Sequence, residues 1–281
     1  MSLTPEMIER LPQVDGVLTY IAPMAAKPYN LTYEPAPGEP RSNSRPEPHI
    51  VPIHDMRPVA DRLDFDRQGI ALVEARTAQR DFYDEDEVRR VYYPECVDLV
   101  LAATGGIRAH VFDHTIRRRV WGGADRAPGT PRQPVTRVHN DYTVTSGPQR
   151  VRNLMGGEAT ALLQRRFQIV NVWRPIRGPL RDAPLALADA SSVAPADFVA
   201  SDLIYRDRTG ETYNLRYNPA HRWFYAPDMR ADEAILIKSY DSAEGGIARF
   251  APHTSFEDPT APADKLPRES IEIRMLVFHA S

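Results

Sequence analysis

Arg137-Val138-His139-Asn140-Asp141-Tyr142-Thr143 is the stretch from which the rest of the chain is read. Residues at i and i+2 of a strand share a face, so His139 and Asp141 can offer an imidazole and a carboxylate to one cation without backbone distortion. The third ligand must come from elsewhere. Pro252-His253-Thr254 supplies a candidate late in the chain, and Arg268-Glu269-Ser270 follows it, with Arg268 and Ser270 again at i and i+2. Two imidazoles and one carboxylate on one face of a metal leave the other face open, which suits non-haem Fe(II) oxygen chemistry. A downstream arginine can grip the far carboxylate of a keto-acid cosubstrate through a two-pronged, charge-assisted hydrogen bond, and a nearby hydroxyl helps. The expectation is Fe(II) at His139, Asp141 and His253, and 2-oxoglutarate at Arg268 and Ser270. His221, before an aromatic run, is the rival third ligand.

Strands far apart in sequence must converge for this to work, and the surrounding pattern allows it. Short apolar or alternating runs, divided by turns, read as strands at 69–75, 108–117, 167–173, 184–188, 203–205, 212–217, 222–225, 234–240, 248–253 and 270–278. The fold class expected is mainly β with flanking helices: a double-stranded β-helix, or cupin-like jelly roll. Helical segments are expected at 85–101 and 158–166. The first has acidic residues in its opening turn, is kinked or split into two short helices at Pro94 and stops at Gly105-Gly106. Residues 121–136 read as a Gly/Pro-rich loop leading into His139.

Prolines crowd residues 22–53 and exclude a helix there. Residues 1–60 are read as a Pro-rich arm or lid, and 61–281 as the oxygenase domain. Tyr20, Ile21, Tyr29, Leu31 and Tyr33 would have little use in a free linker. Tyr29 and Tyr33 are placed either to close over a small apolar substrate or to pack the arm down.

A hydrophobic content of 42% and a charged content of 26% fit a folded soluble protein. The net charge of −3 and the shortness of the Arg117-Arg118-Arg119 run give no broad basic surface, so nucleic acid is excluded as a partner. The single cysteine, Cys96, can form no intrachain disulfide, which points to a reducing compartment. The N-terminus lacks a basic region followed by an apolar stretch. No run approaches the roughly 18 apolar residues that span a bilayer. A cytoplasmic protein with no membrane partner is expected, acting on a small molecule; a homodimer is left open.

Tyr142, Asn171, Trp173, Tyr217, Lys238 and His221 are the candidates for substrate contact, with Trp173 equally readable as core. His110 and His114, four apart in a strand-like run, are read as surface or supporting residues.

Several blocks carry a family resemblance. They include Asn171-Val172-Trp173-Arg174-Pro175-Ile176 with Gly178-Pro179-Leu180, Tyr217-Asn218-Pro219 with His221-Arg222-Trp223, Lys238-Ser239-Tyr240-Asp241-Ser242, Pro252-His253-Thr254-Ser255-Phe256 and Arg268-Glu269-Ser270-Ile271-Glu272. Over about residues 65 to 278 the chain resembles the AsaB-like hydroxylase/desaturases, also called CmcJ-like and including gibberellin-desaturase-like proteins. The resemblance implies an Fe(II)/2-oxoglutarate-dependent oxygenase of specialised metabolism on a double-stranded β-helix. It implies iron on His139, Asp141 and His253 and the distal 2-oxoglutarate carboxylate on Arg268. The alternatives are a non-catalytic substrate-binding partner of another tailoring enzyme on the same fold, and a cupin-like metal enzyme that does not use 2-oxoglutarate.

Overall fold

Two sheets face each other in the computed structural model of the protein, which describes residues 3–123 and 131–280. The larger has nine strands in the spatial order β1 (Gln13–Ile21), β3 (Pro46–Asp55), β11 (Trp223–Tyr225), β8 (Leu185–Ala188), β13 (His253–Ser255), β6 (His139–Asn140), β10 (Thr209–Leu215), β9 (Phe198–Ile204) and β2 (Tyr29–Leu31). The smaller has five, in the order β4 (Ile70–Glu74), β12 (Glu233–Asp241), β7 (Phe167–Pro175), β14 (Glu269–Phe278) and β5 (Arg108–Arg118). This is the jelly roll that the run of short strands predicts. Among the described residues no helix is long and apolar enough to cross a membrane.

Strand alternation sorts the core into layers. Leu187 of β8 and Phe224 of β11 face the smaller sheet and meet Trp173, Ile235 and Ile237 there. Their neighbours Ala186, Ala188, Trp223 and Tyr225 point the other way, into a cluster with Leu18, Tyr20, Ile53 and Phe256. On the smaller sheet, Val170, Val172, Ile271, Ile273, Met275 and Val277 turn outward and are covered by Cys96 and Val100 of the helix Tyr93–Thr104. Each such side chain contributes about 1.5–3 kcal/mol by burial. That helix ends at Gly105, with φ +68°. Gly106 then lies so close to β14 that a Cβ would come within 2.4 Å of Val277 Cγ1. The helical region is not split at Pro94: it runs continuously from Glu85 to Thr104, with a π-helical turn, Val88–Tyr92, just before Tyr93–Thr104.

Residues 1–60, expected as an arm, supply three strands to the larger sheet. β1 and β3 pair antiparallel, and β3 pairs in parallel with β11. The prolines are compatible with this because of parity. Pro46, Pro48 and Pro52 share the parity of Met56, whose N–H donates to Tyr225 O, whereas the N–H of Asp55 donates to Pro12 O on the β1 side. The missing proline donors therefore face away from β1. The sheet also curls: the N–H of Val138 donates to Thr19 O at 2.9 Å, joining β1 to the segment that enters β6.

Three expectations need correction. Residues 248–252 are not strand; His253 begins β13 rather than ending a strand. The helix expected over 158–166 is only Ala159–Leu162. A longer helix, Ser146–Met155, was not anticipated; Gly147 and Pro148, both weak helix formers, stand in its first turn. There Gly147 packs under Tyr240, whose ring would lie within 2.5 Å of any Cβ. Part of the loop expected over 121–136, residues 124–130, lies outside the described residues.

Candidate metal centre and cosubstrate site

His253 pairs directly with His139 across β13 and β6, and also with Leu187 of β8. Paired positions share a face, so both imidazoles turn, like Leu187, toward the smaller sheet. Asp141 follows β6 at a bend. One ligand atom from each of His139, Asp141 and His253 lies within 4.8 Å of the others, as a single cation requires. The two rings are 4.6 Å apart, and His139 Nε2 is 3.6 Å from Asp141 Oδ1.

The backbone fixes both imidazoles in the same way. His139 Nδ1 is 2.8 Å from Arg137 O, and His253 Nδ1 is 3.1 Å from Ala251 O. A carbonyl only accepts, so Nδ1 carries the hydrogen and Nε2 is left bare for a metal. Burial, then the neighbouring His253, hold the His139 pKa well below its ordinary value. Burial would raise the Asp141 pKa, but His253, Arg274, His139 and a hydrogen bond from Asn171 outweigh it and hold the carboxyl low. Neutral imidazole and ionised carboxylate are the forms that bind a divalent metal. The donor set is thus held ready, and its two nitrogens and one oxygen match Fe(II).

Arg268 is buried just before β14. Its Nε donates to Ser270 Oγ at 3.0 Å, its Nη1 to Ala183 O at 2.8 Å, and its backbone N–H to Asp182 at 2.9 Å. The guanidinium lies over Trp173, 4.9 Å from the ring centroid. Among the described residues no carboxylate forms an ion pair with it. Burial, and then Arg117, pull its pKa down to about 9. A buried cation in this state gains from an anion, and Ser270, accepting from Arg268, keeps its own hydroxyl hydrogen to donate.

The other candidates separate. Asn171 lies on the inner face of β7, and its Nδ2 donates to Asp141 Oδ2 at 2.8 Å. Trp173 serves both as core and as the surface beneath Arg268. Tyr142 is buried among Val151, Ile169 and Tyr240, under the Arg150 guanidinium. Tyr217 belongs to the opposite face of the larger sheet, stacked 3.7 Å from His49. His221 is absent from the metal cluster; its Nε2 is 3.0 Å from Asp197 and its ring stacks on Tyr20. Lys238 is fully buried, and its ammonium is spent on Asp66 (2.5 Å) and Asp241 (3.0 Å). His114 is hydrogen-bonded to Tyr93.

Sequence reasoning missed Glu272 and Arg274. Both point inward from β14 beside Ser270, while Ile271, Ile273 and Met275 point out. The signal was the alternation of polar and apolar residues along that strand.

A family model described as "Oxidoreductase/YMDC permease-like domain" matches residues 18–278. The hydroxylase/desaturase efuI of Hormonema carpetanum is 32% identical, over 95% of this chain and 95% of its own. The Fe(II)/2-oxoglutarate-dependent dioxygenase nvfI of Aspergillus novofumigatus is 31% identical, over 94% of this chain and 96% of its own. The solved structure of the iron and alpha-ketoglutarate-dependent endoperoxidase NvfI is similar throughout, with a TM-score of 0.86 and 29% identity, covering 96% of this chain and 99% of that one.

Proposed function

Because the chain belongs to the family of the hydroxylase/desaturases and Fe(II)/2-oxoglutarate-dependent dioxygenases, we propose that His139, Asp141 and His253 hold its iron and that Arg268 and Ser270 hold the distal carboxylate of 2-oxoglutarate. The protein is an Fe(II)/2-oxoglutarate-dependent oxygenase that hydroxylates or desaturates a small molecule of specialised metabolism. With iron and 2-oxoglutarate bound, the centre would consume dioxygen, one oxygen atom converting 2-oxoglutarate to succinate and CO2 and the other serving to oxidise an unactivated C–H bond.

The residues do the rest. Arg137 O and Ala251 O fix the two imidazoles in the tautomer that offers Nε2. Arg268 offers a planar fork and Ser270 a hydroxyl, which together orient a carboxylate. Trp173, beneath the guanidinium, keeps water from its face. The buried thiol of Cys96 supports a reducing compartment, and the cytoplasm is the one we propose.

The observation that carries this reading is the convergence of two bare Nε2 atoms and one carboxylate oxygen. Anaerobic addition of Fe(II) and 2-oxoglutarate tests it. A metal-to-ligand charge-transfer band is expected in the wild type and not in His139→Ala. Succinate formed with substrate separates this function from a metal enzyme on the same fold that does not use a keto acid.

A further inference from the structure

The two oxygens of Asp141 have different surroundings. Oδ1 faces His139 Nε2 at 3.6 Å, while Oδ2 accepts from Asn171 Nδ2 at 2.8 Å. The same amide nitrogen donates to Glu272 Oε1, also at 2.8 Å, so both of its hydrogens go to carboxylates. The amide cannot turn over, because its oxygen would then face two acceptors. Glu272 is held by Arg274 at 3.1 Å, and Arg274 by Asp113 at 2.7 Å and Thr115 at 2.6 Å. Strand register enforces the relay: Arg274 sits opposite Asn171 on one side and Asp113 on the other. Asn171 has no exposed surface, so water does not compete.

We propose that Asn171 is a positioning residue that restricts Asp141 to a single ligating oxygen. The proposal rests on the metal ligands assigned above. A carboxylate free to rotate can bind a cation through both oxygens. Three protein donors leave three places on an octahedral ion. Two of these serve the keto acid and one dioxygen, so a second Asp141 oxygen would take a place that the reaction needs. By occupying Oδ2, Asn171 keeps the protein donors at three. Glu272 and Arg274 hold the amide in the orientation that does this. Asn171 therefore acts through Asp141, not on the substrate as the sequence led us to expect.

The test uses the full chain, titrated anaerobically with Fe(II) alone and then with 2-oxoglutarate, for Asn171→Ala and Asn171→Asp. Freed of its partner, Asp141 can ligate through both oxygens, so in both variants Fe(II) should still bind, while 2-oxoglutarate should bind the Fe(II)-loaded protein roughly tenfold more weakly, the equivalent of about 1.4 kcal/mol. The charge-transfer band should also move. Asn171→Asp should bind 2-oxoglutarate no better than Asn171→Ala, because an ionised carboxylate at 171 has no hydrogen to donate to Asp141 Oδ2. An Asn171→Ala protein that is folded by circular dichroism, binds Fe(II), takes up 2-oxoglutarate within about threefold of wild type instead of losing roughly tenfold, and keeps its band position overturns the proposal. Should Asn171→Ala not fold, Asn171→Ser is read by the same criteria. A wild-type chain with no band sinks the metal assignment itself, and the role of Asn171 with it; an unmoved band in a folded variant sinks only the latter.

Discussion

His139 and His253 occupy directly paired positions on neighbouring strands, β6 and β13, with their ring centroids 4.6 Å apart. A metal site split across a strand pair is as rigid as the pairing, and each ring is further pinned through Nδ1 to the carbonyl two residues before it.

Replacing His253 with Ala should abolish tight Fe(II) binding, a larger effect than the roughly 10–100-fold that loss of an outer partner costs. His221→Ala should leave iron affinity unchanged, because that imidazole is engaged by Asp197 and Tyr20. Titration of both variants with Fe(II) decides between the two histidines.

Arg268→Gln should weaken 2-oxoglutarate binding by roughly tenfold to a hundredfold, the equivalent of one charged hydrogen bond of about 1.5–3 kcal/mol. Arg268→Lys should recover only part of this, since an ammonium lacks the planar fork. Calorimetric titration of the metal-loaded protein measures both. An unchanged dissociation constant in Arg268→Gln would place the cosubstrate elsewhere.

Lys238→Met should leave 2-oxoglutarate and iron affinity alone but lower stability by about 1.5–3 kcal/mol, the worth of one hydrogen bond to a charged group. Asp241 would remain fully buried, with Arg166 and Gln168 as its partners. Urea unfolding together with cosubstrate titration tests the separation. A variant of normal stability with weakened cosubstrate binding would restore Lys238 to the site.

Stability should fall on mild acidification. Burial lowers the pKa values of His54, His114, His221 and His279 below the ordinary 6.5. Between the folded and unfolded values the unfolded chain binds more protons, so the stabilisation present above about pH 6.5 is lost as pH falls through the folded values. Below about pH 4, the range in which ordinary carboxyls take up protons, the partnered carboxylates of Asp66, Glu211, Glu233 and Asp241, held low in the folded state, add to the loss. The urea midpoint of the metal-free protein should be lower at pH 5 than at pH 7.5; an equal or higher midpoint contradicts the assignment.

The jelly roll was legible because its strands are short, apolar and separated by turns. The grouping of His139, Asp141 and His253 was legible because a His-x-Asp pair asks for one more ligand and His253 is followed by Arg268 and Ser270, a pair suited to a keto acid. Lys238 misled for a geometric reason. In a regular strand, residues 238 and 241 face opposite ways, but β12 carries a register shift between Lys238 and Tyr240 that brings Lys238 and Asp241 together. No local pattern announces such a bulge. Tyr217 and His221 look like pocket residues by type. What removes them from the site is the curl of the larger sheet, which buries them beside Tyr20 and depends on contacts from the far end of the chain. The place of Asn171 could be read only once β7 and β14 were set in register.

The carbonyl of Thr19 accepts from the amide of Val138, immediately before His139. The paired strands β1 and β3 are therefore a splint for the strand that carries His139, and the two should loosen as one cooperative unit. Trimming the proline-rich head to obtain a minimal catalytic fragment would unseat His139, not uncover it.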